Sequence, residues 1–309
     1  MANDDIRAAL AAIYTLTPTH CGTGQTSGAV DLPIARESHT AYPIFPASSV
    51  KGVLRDAADR DRILRPRVEQ LFGSELERDP EKNPRAGDLV VTEARLVAFP
   101  VRSLSRPCLY ATSAHLVERL VRDLDAFELG GLLNADGLEA LSGEGARVAD
   151  PELAGKLLVV EDLVYGKEKV TAPPEAGELA KALAGLLPEK QDHTRARLRN
   201  GLVVLPDSDL RDLAVRTTPV QARVKLTSGK TTDKYVNDAG ETEKGNLWYE
   251  ETLPADCLMV SFVTVRAGKS KNGSIRELVD HFESGKVLQI GGNETIGQGR
   301  SWWTLRKGA

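Results

Sequence analysis

Three stretches of the sequence carry residue types that can do chemistry. The first is His20-Cys21-Gly22-Thr23-Gly24, followed by Gly28 and by Val30-Asp31-Leu32-Pro33-Ile34. Glycines let a backbone approach a ligand closely, a phosphate chain included. A carboxylate beside such a loop, here Asp31, can hold a metal ion or take a proton. A nearby histidine, here His20, can serve as acid or base. The plainer alternative is that His20 only shapes the loop. The second stretch runs from Ile290 to Arg300 and contains Gly291, Gly292, Gly297 and Gly299. It suits either a cradle of backbone amides for phosphates or a tight strand connection with left-handed positions. No Gly-Lys-Ser/Thr follows, so it is not a Walker A loop. The third stretch is Ser48-Ser49-Val50-Lys51-Gly52-Val53-Leu54-Arg55. Hydroxyls at a helix start, with Lys51 and Arg55 one turn apart, make an anion site or simply a capped, solvated helix.

The elements that must position these residues follow from periodicity. Ala11–Thr17 reads as a strand, and 19–49 as a long loop, which in a compact domain is usually functional or disordered. Ser48 and Ser49 are expected to cap a helix running to about Asp61, with Val50, Val53, Leu54 and Ala57 at helical spacing. Leu89–Phe99 reads as a strand, Ala114–Phe127 as an amphipathic helix, Lys156–Leu163 as a strand, and Glu175–Leu187 as a helix. Leu202–Leu205 and Asp207–Val215 read as a short strand and a short helix. Val220, Ala222, Val224 and Leu226 alternate with polar residues, which predicts a half-exposed strand. After a polar stretch the aromatic segment Asn246–Thr252 returns, so 219–252 reads as a long hairpin with Arg223 and Lys225 on its basic side. Cys257–Arg266 reads as a strand, Ser274–Glu283 as a helix capped by Ser274, and Val287–Ile290 and Ser301–Leu305 as strands. Helices and strands alternate without a GxGxxG turn, so the class is α/β or α+β and not a Rossmann fold.

Composition removes several function classes. The 309 residues are long enough to bury a large core without staples. The three cysteines form no CxxC pair, which excludes a zinc ribbon and fits a reducing cytoplasm. No apolar run approaches the roughly 20 residues of a membrane helix. The acids ahead of the first apolar stretch speak against a secretory signal. The net charge of −4 argues against binding nucleic acid by bulk electrostatics. Its distribution is uneven: 117–165 carries a net −7 and 195–234 a net +5. One face can therefore meet RNA while another presents acid.

Taken in order, HCGTG, VDLPIARE, SSVKGVLR, ARLVAFPVRS, LWYEE and IGGNETIGQG resemble the RAMP superfamily of CRISPR proteins. More narrowly, the chain is similar to the repeated backbone subunits of type III-B (Cmr) RNA-targeting complexes. The resemblance runs from His20 to Arg300. Ala47 departs from it, standing where the family often has glycine before the paired serines.

That resemblance implies an α+β fold: a modified ferredoxin-like (RRM-like) palm in one domain over 1–309. It implies an inserted β-hairpin thumb at about 217–252 and a helical, acidic insertion at about 112–190. It implies several copies stacked helically along a guide RNA, beside other Cmr subunits, with the thumb displacing a nucleotide of the guide–target duplex. It further implies cleavage of complementary target RNA beside that kink, with a divalent metal, Mg²⁺ being the expected ion, and the catalytic, metal-holding aspartate mapped onto Asp31. The expected chemistry is attack by the substrate's own 2′-OH, in which orientation is worth several kcal/mol. His20 is expected to assist proton transfer, and Glu250 or Glu251 to supply a second carboxylate. Ser48, Ser49, Lys51 and Arg55 are expected on phosphates, with Arg223 and Lys225 of the hairpin and Gly291, Gly292, Gly297 and Gly299 also on the RNA path. Such contacts position RNA, while base pairing supplies sequence. Two competing readings are a guide-binding scaffold that does not cut, and a RAMP nuclease that processes precursor guide RNA.

Overall fold

The protein is described by a computed structural model covering residues 6–74, 84–133, 136–226, 228–230, 235–236, 242–243, 247–266 and 274–308. In chain order, β1 (Ala8–Thr15) leads through a long loop to β2 (Ile44–Phe45), α1 (Ala47–Arg60) and α2 (Val68–Phe72). Next come β3 (Leu89–Val91), β4 (Ala94–Val101), β5 (Leu109–Ser113) and α3 (Ala114–Ala126). After these lie β6 (Ala146–Val148), the hairpin β7 (Leu158–Val160) and β8 (Leu163–Tyr165), and β9 (Val170–Thr171). The helices α4 (Pro174–Gly185) and α5 (Asp192–Gly201) precede β10 (Leu202–Leu205) and α6 (Asp207–Arg216). A ribbon follows, from β11 (Val220–Val224) through the short β12 (Tyr235–Val236) and β13 (Thr242–Glu243) to β14 (Leu247–Glu251). The chain ends with β15 (Leu258–Val265), α7 (Ser274–Phe282), β16 (Lys286–Gln289) and β17 (Arg300–Arg306).

The main sheet runs β16-β17-β1-β15-β4-β5-β10-β6-β9, with β2 on β4 and β3 on β15. Its middle is antiparallel, and β1 lies between β15 and β17. Alternate residues of β1 enter two cores. Ala9, Ala11 and Ile13 face the core that holds Val50 and Leu54 of α1 and Leu278 of α7. Leu10, Ala12 and Tyr14 face the core that holds Leu120 and Leu124 of α3 and Leu183 of α4. Burial on both faces is why this strand reads as a continuous apolar run instead of alternating. Helices thus cover both sides of the sheet, an α+β palm as expected.

Several boundaries differ from the sequence expectation for identifiable reasons. α1 begins one residue before the two serines. Its N-cap is Pro46, whose carbonyl accepts from Ser49 and Val50, and no side chain caps it. The strand expected over 89–99 is two strands, β3 and β4, and the one over 156–163 is half of a hairpin. The 112–190 stretch contributes β6 and β9, which extend the main sheet through β10.

The ribbon pairs Val220 with Glu251 through to Val224 with Leu247. It stands off the sheet, so Val220, Val224, Leu247 and Tyr249 are exposed where a half-buried strand was expected. Of the tip expected at 229–243, residues 231–234 and 237–241, Lys234 among them, lie outside the described residues.

The small side chains of β1 fit two cores at once. Ala11→Leu is therefore expected to overpack the helix-facing core and cost about 1–3 kcal/mol. A urea melt of the intact chain, compared at constant slope, checks it; an unchanged midpoint would show that the core has room.

Candidate RNA-cleavage site

The site is assembled along one edge of β14. The backbone N–H and C=O groups of residues 248 and 250, and of Thr252 just beyond the strand, turn toward β11, in phase with the Thr252 N bond to Pro219 O at 2.9 Å. Residues 249 and 251 turn the other way, toward the long loop. Leu32 N donates to Tyr249 O at 3.0 Å, and Glu251 N donates to Leu32 O at 3.0 Å. The Asp31 loop is thereby added to the ribbon as a parallel bridge, Leu32 with Glu250. Asp31 Oδ2 accepts from Tyr249 N at 2.7 Å, which fixes the carboxylate against the same strand.

His20 is held on the same edge, two residues along. Its Nδ1 lies 2.7 Å from Glu251 O. A carbonyl only accepts, so Nδ1 carries the proton, and in the neutral ring Nε2 is left as the acceptor. Successive same-edge positions of a strand are about 7 Å apart. Asp31 and His20 are therefore anchored one strand period from each other. Gly22 makes room for the ring: a Cβ there would sit 2.5 Å from His20 Nε2. The two chain segments of the site pair directly, through the Gly22–Ile34 bridge and Ala35 N to Cys21 O at 2.8 Å. Cys21 is buried, and burial pushes its thiol up.

The two neighbouring glutamates have different tasks. Glu250, 4 % exposed, points to the β11 face, where Oε1 accepts from Asn293 Nδ2 at 2.7 Å and from Arg223 Nη2 at 3.3 Å. Through Oε1 its carboxylate fastens the ribbon to the 291–299 loop. Glu251, 7 % exposed, points into the base of the ribbon. Its Oε2 accepts from Ile34 N at 3.0 Å, and its Oε1 from Thr218 Oγ1 at 2.6 Å and Arg36 Nη2 at 2.5 Å. On the far side of the same loop, Glu37 accepts from Arg119 with both oxygens at 2.8 Å. Burial pushes the Glu37 carboxyl up, but hydrogen bonds from Thr40 and Arg119 outweigh it and hold the group below the usual carboxylate range.

The glycine loop is the tight connection, with its amides turned inward. Gly292 N donates to His20 O at 2.9 Å, Gly297 N to Glu294 O at 3.0 Å, and Gly299 N to Pro18 O at 2.9 Å. Gly291, Gly297 and Gly299 have φ near +80°. These three amides are therefore taken up within the fold: Gly292 seats the His20 carbonyl, Gly299 that of Pro18, and Gly297 closes the turn on Glu294. Two of the expected phosphate-binding arginines are also used inside the fold. Arg55 Nη1 donates to Gly73 O at 2.6 Å, and Arg223 is bound to Glu250. Ser48 is exposed, and Ser49 Oγ lies 3.7 Å from Cys21 Sγ, which links the first turn of α1 to the His20 loop. Lys51 shares that turn, and Lys225 is exposed on the ribbon.

Among the described residues no group of three or more His, Cys, Asp and Glu side chains could hold a metal ion. Asp31 offers the one carboxylate oxygen that its bond to Tyr249 leaves over. This set does not form a protein cage. It fits an ion of the Mg²⁺ kind, which keeps water and substrate phosphate oxygens beside one or two carboxylates.

The family model described as the RAMP superfamily matches residues 12–301. The chain is 33 % identical over 307 residues to the Pyrococcus furiosus protein named CRISPR system Cmr endoribonuclease Cmr4, covering 98 % of this chain and 97 % of that one. It is 25 % identical over 311 residues to the CRISPR system CMR subunit Cmr4 of Saccharolobus solfataricus, covering 93 % and 92 %. Among solved structures, oligomeric Cmr4 from Pyrococcus furiosus superposes with a TM-score of 0.71 at 25 % identity, over 98 % and 99 % of the two chains. A chain of the type III-B Cmr-beta complex bound to cognate target RNA reaches the same TM-score at 21 % identity, over 98 % of each chain, and shares the fold.

The inward amides lead to a graded expectation. Gly291→Ala places a Cβ at 2.2 Å from His20 O on top of an unfavourable φ, whereas Gly297→Ala meets nothing within 4 Å. The second pays only the left-handed backbone, about 1–3 kcal/mol, and the first must pay more. Paired urea melts check the order; equal losses would show that His20 moves aside freely.

Proposed function

The chain belongs to the RAMP superfamily, and from that premise we propose that it is the backbone subunit of a type III-B CRISPR effector complex, which binds guide RNA in several copies and cuts complementary target RNA at Asp31. The observation that carries the reading is the full-length match to a relative named as an endoribonuclease, joined to the place of Asp31 and His20 on one strand edge. Its partners are guide RNA, target RNA, further copies of itself and other Cmr subunits. No helix among the described residues is long and apolar enough to cross a membrane, and the proposed site of action is the cytoplasm.

The chemistry proposed is transesterification within the target strand. The 2′-oxygen attacks the adjacent phosphorus, the bond to the 5′-oxygen breaks, and the products end in a 2′,3′-cyclic phosphate and a 5′-OH. The attacking hydroxyl must lose a proton and the leaving oxygen must gain one. Asp31, with one oxygen pinned by Tyr249 N, orients the 2′-OH and takes its proton. His20, with Nδ1–H committed to Glu251 O, has Nε2 for the second transfer and supplies the leaving proton as imidazolium. Asp31 would hold a divalent ion, which would supply positive charge against that building on the phosphoryl oxygens. Most of the rate enhancement on this reading comes from in-line orientation, which fixed backbone anchors are suited to impose.

Guide contacts fall to the first turn of α1 and to the ribbon. Ser48 and Lys51 meet phosphate there, and Lys225 extends the path. The long positive groove is built by stacking copies, so one chain needs no basic excess.

Three outcomes test the reading. In the assembled complex, Asp31→Asn should abolish cleavage of labelled complementary RNA while target affinity, read by filter binding, stays. Affinity lost together with cleavage would make Asp31 a structural residue. A target carrying 2′-deoxyribose at the cut positions should resist cleavage, since the nucleophile is gone. Cutting at an undiminished rate would exclude 2′-OH attack. Lys51→Glu should weaken guide binding, with a shallower dependence on salt because one phosphate contact is lost. Unchanged guide retention at low salt would remove α1 from the RNA path.

A further inference from the structure

We propose that Arg36 is the positioning residue of the cleavage site, the clamp that holds Asp31 on β14; the inference rests on the nuclease reading above. Asp31 has no scaffold of its own. It lies in a segment with no regular secondary structure, and its geometry is borrowed from β14 through Leu32, Ile34 and the Tyr249 amide. What locks that segment in register is the buried Glu251 carboxylate, which accepts from Ile34 N. A buried carboxylate is costly unless it is paired and hydrogen-bonded, and Arg36 is the partner of Glu251.

The Arg36 guanidinium reaches four places at once. Its Nη2 donates to Glu251 Oε1 at 2.5 Å and to Thr218 Oγ1 at 3.0 Å. Its Nη1 donates to Ala41 O at 2.8 Å and to Ala214 O at 3.0 Å. These partners belong to the ribbon base (β14 and the segment leading into β11), to the end of the Asp31 loop, and to α6. The planar fork is therefore the joint at which the loop, the ribbon and the helical layer are fixed relative to one another. A lysine ammonium has three donors on a flexible stem and cannot reproduce a fork that spans both sides. Arg36 touches none of the reacting atoms on this reading. It acts on Asp31 through Glu251 and the backbone of residues 32–34, five residues away in the chain.

The consequence is a separation of cleavage from binding. Loosening the clamp shifts Asp31 relative to the strand edge that carries His20, and a displacement near 1 Å costs about a hundredfold in rate. Guide and target contacts lie on α1 and the outer ribbon, which Arg36 does not touch.

The test uses the full chain assembled with guide RNA and the other subunits, in two variants. Arg36→Lys keeps the charge, and the double variant Arg36→Met with Glu251→Gln removes both charges, so no unpaired carboxylate is left buried. In both, the single-turnover cleavage rate is expected to fall about a hundredfold, with target affinity and the spacing of the cut sites unchanged. Amide hydrogen exchange over 31–36 and 247–251 is expected to rise in both, while that of β1 and β15 stays slow. A rate equal to the unaltered protein in either variant overturns the proposal, as does unchanged exchange at those two segments. Target affinity lost in step with the rate, or both variants failing to fold, also overturns it, by making Arg36 a general structural residue. If the unaltered complex itself does not cut, the nuclease reading fails, and the exchange data still decide whether the clamp exists.

Discussion

A single buried carboxylate sets the geometry of this molecule's working end. Burying a carboxylate is costly unless donors surround it, and the donors Glu251 collects come from three directions: the Ile34 amide, the Thr218 hydroxyl and the Arg36 guanidinium. Its own backbone N–H meanwhile donates to Leu32 O, and its carbonyl accepts from His20 Nδ1. Satisfying one side chain thus brings the long loop, the ribbon and α6 to one point. A half-satisfied network of this kind would be worse than an apolar core, which is why its parts behave as a unit. The loop is also fastened from behind by Glu37 and Arg119, so two adjacent residues, Arg36 and Glu37, pull it toward opposite neighbours.

Much of the architecture was legible because apolar spacing reported it. The stripe Leu116, Leu120 and Leu124 placed α3, and alternation from Val220 to Leu226 placed β11. Where burial is two-sided or slight, periodicity is silent. α5, DHTRARLRNG, was not anticipated because among its side chains only Leu198 reaches the core. β5, Leu109–Ser113, is short and wholly buried, so nothing alternates in it. At the site, residue types were readable and their bonds were not. Glycines at 291, 297 and 299 announce left-handed backbone, yet only coordinates show that the amides of Gly292, Gly297 and Gly299 point inward. Likewise the pair Glu250-Glu251 reads as two equivalent acids. Strand geometry sends one to Arg223 and Asn293 and the other to Arg36 and Thr218.

The same accounting explains how a chain of net charge −4 serves RNA. Many of its arginines are internal ties: Arg36, Arg55, Arg119 and Arg223 all end on protein oxygens. Acid in the 117–165 stretch is partly spent in the same way, with Asp123 on Arg95, Asp150 on Arg106 and Glu161 on Arg102. Formal charge therefore says little about which face meets phosphate. Exposure of a few uncommitted groups in the first turn of α1 says more.

The long reach of the Asp31–Tyr249 contact, 218 residues along the chain, also orders events in time. β1 lies between two strands that come from the last quarter of the sequence. At about 5–20 residues per second of synthesis, roughly 10–40 s separate the emergence of Asp31 from that of its anchor. Throughout that interval the aspartate lacks its Tyr249 anchor, the histidine lacks Glu251 O, and the first strand lacks both of its neighbours. On the proposed reading, a nascent chain still attached to a ribosome, and so to messenger RNA, lacks the Asp31–Tyr249 anchor, and the site is assembled only once the polypeptide is nearly finished.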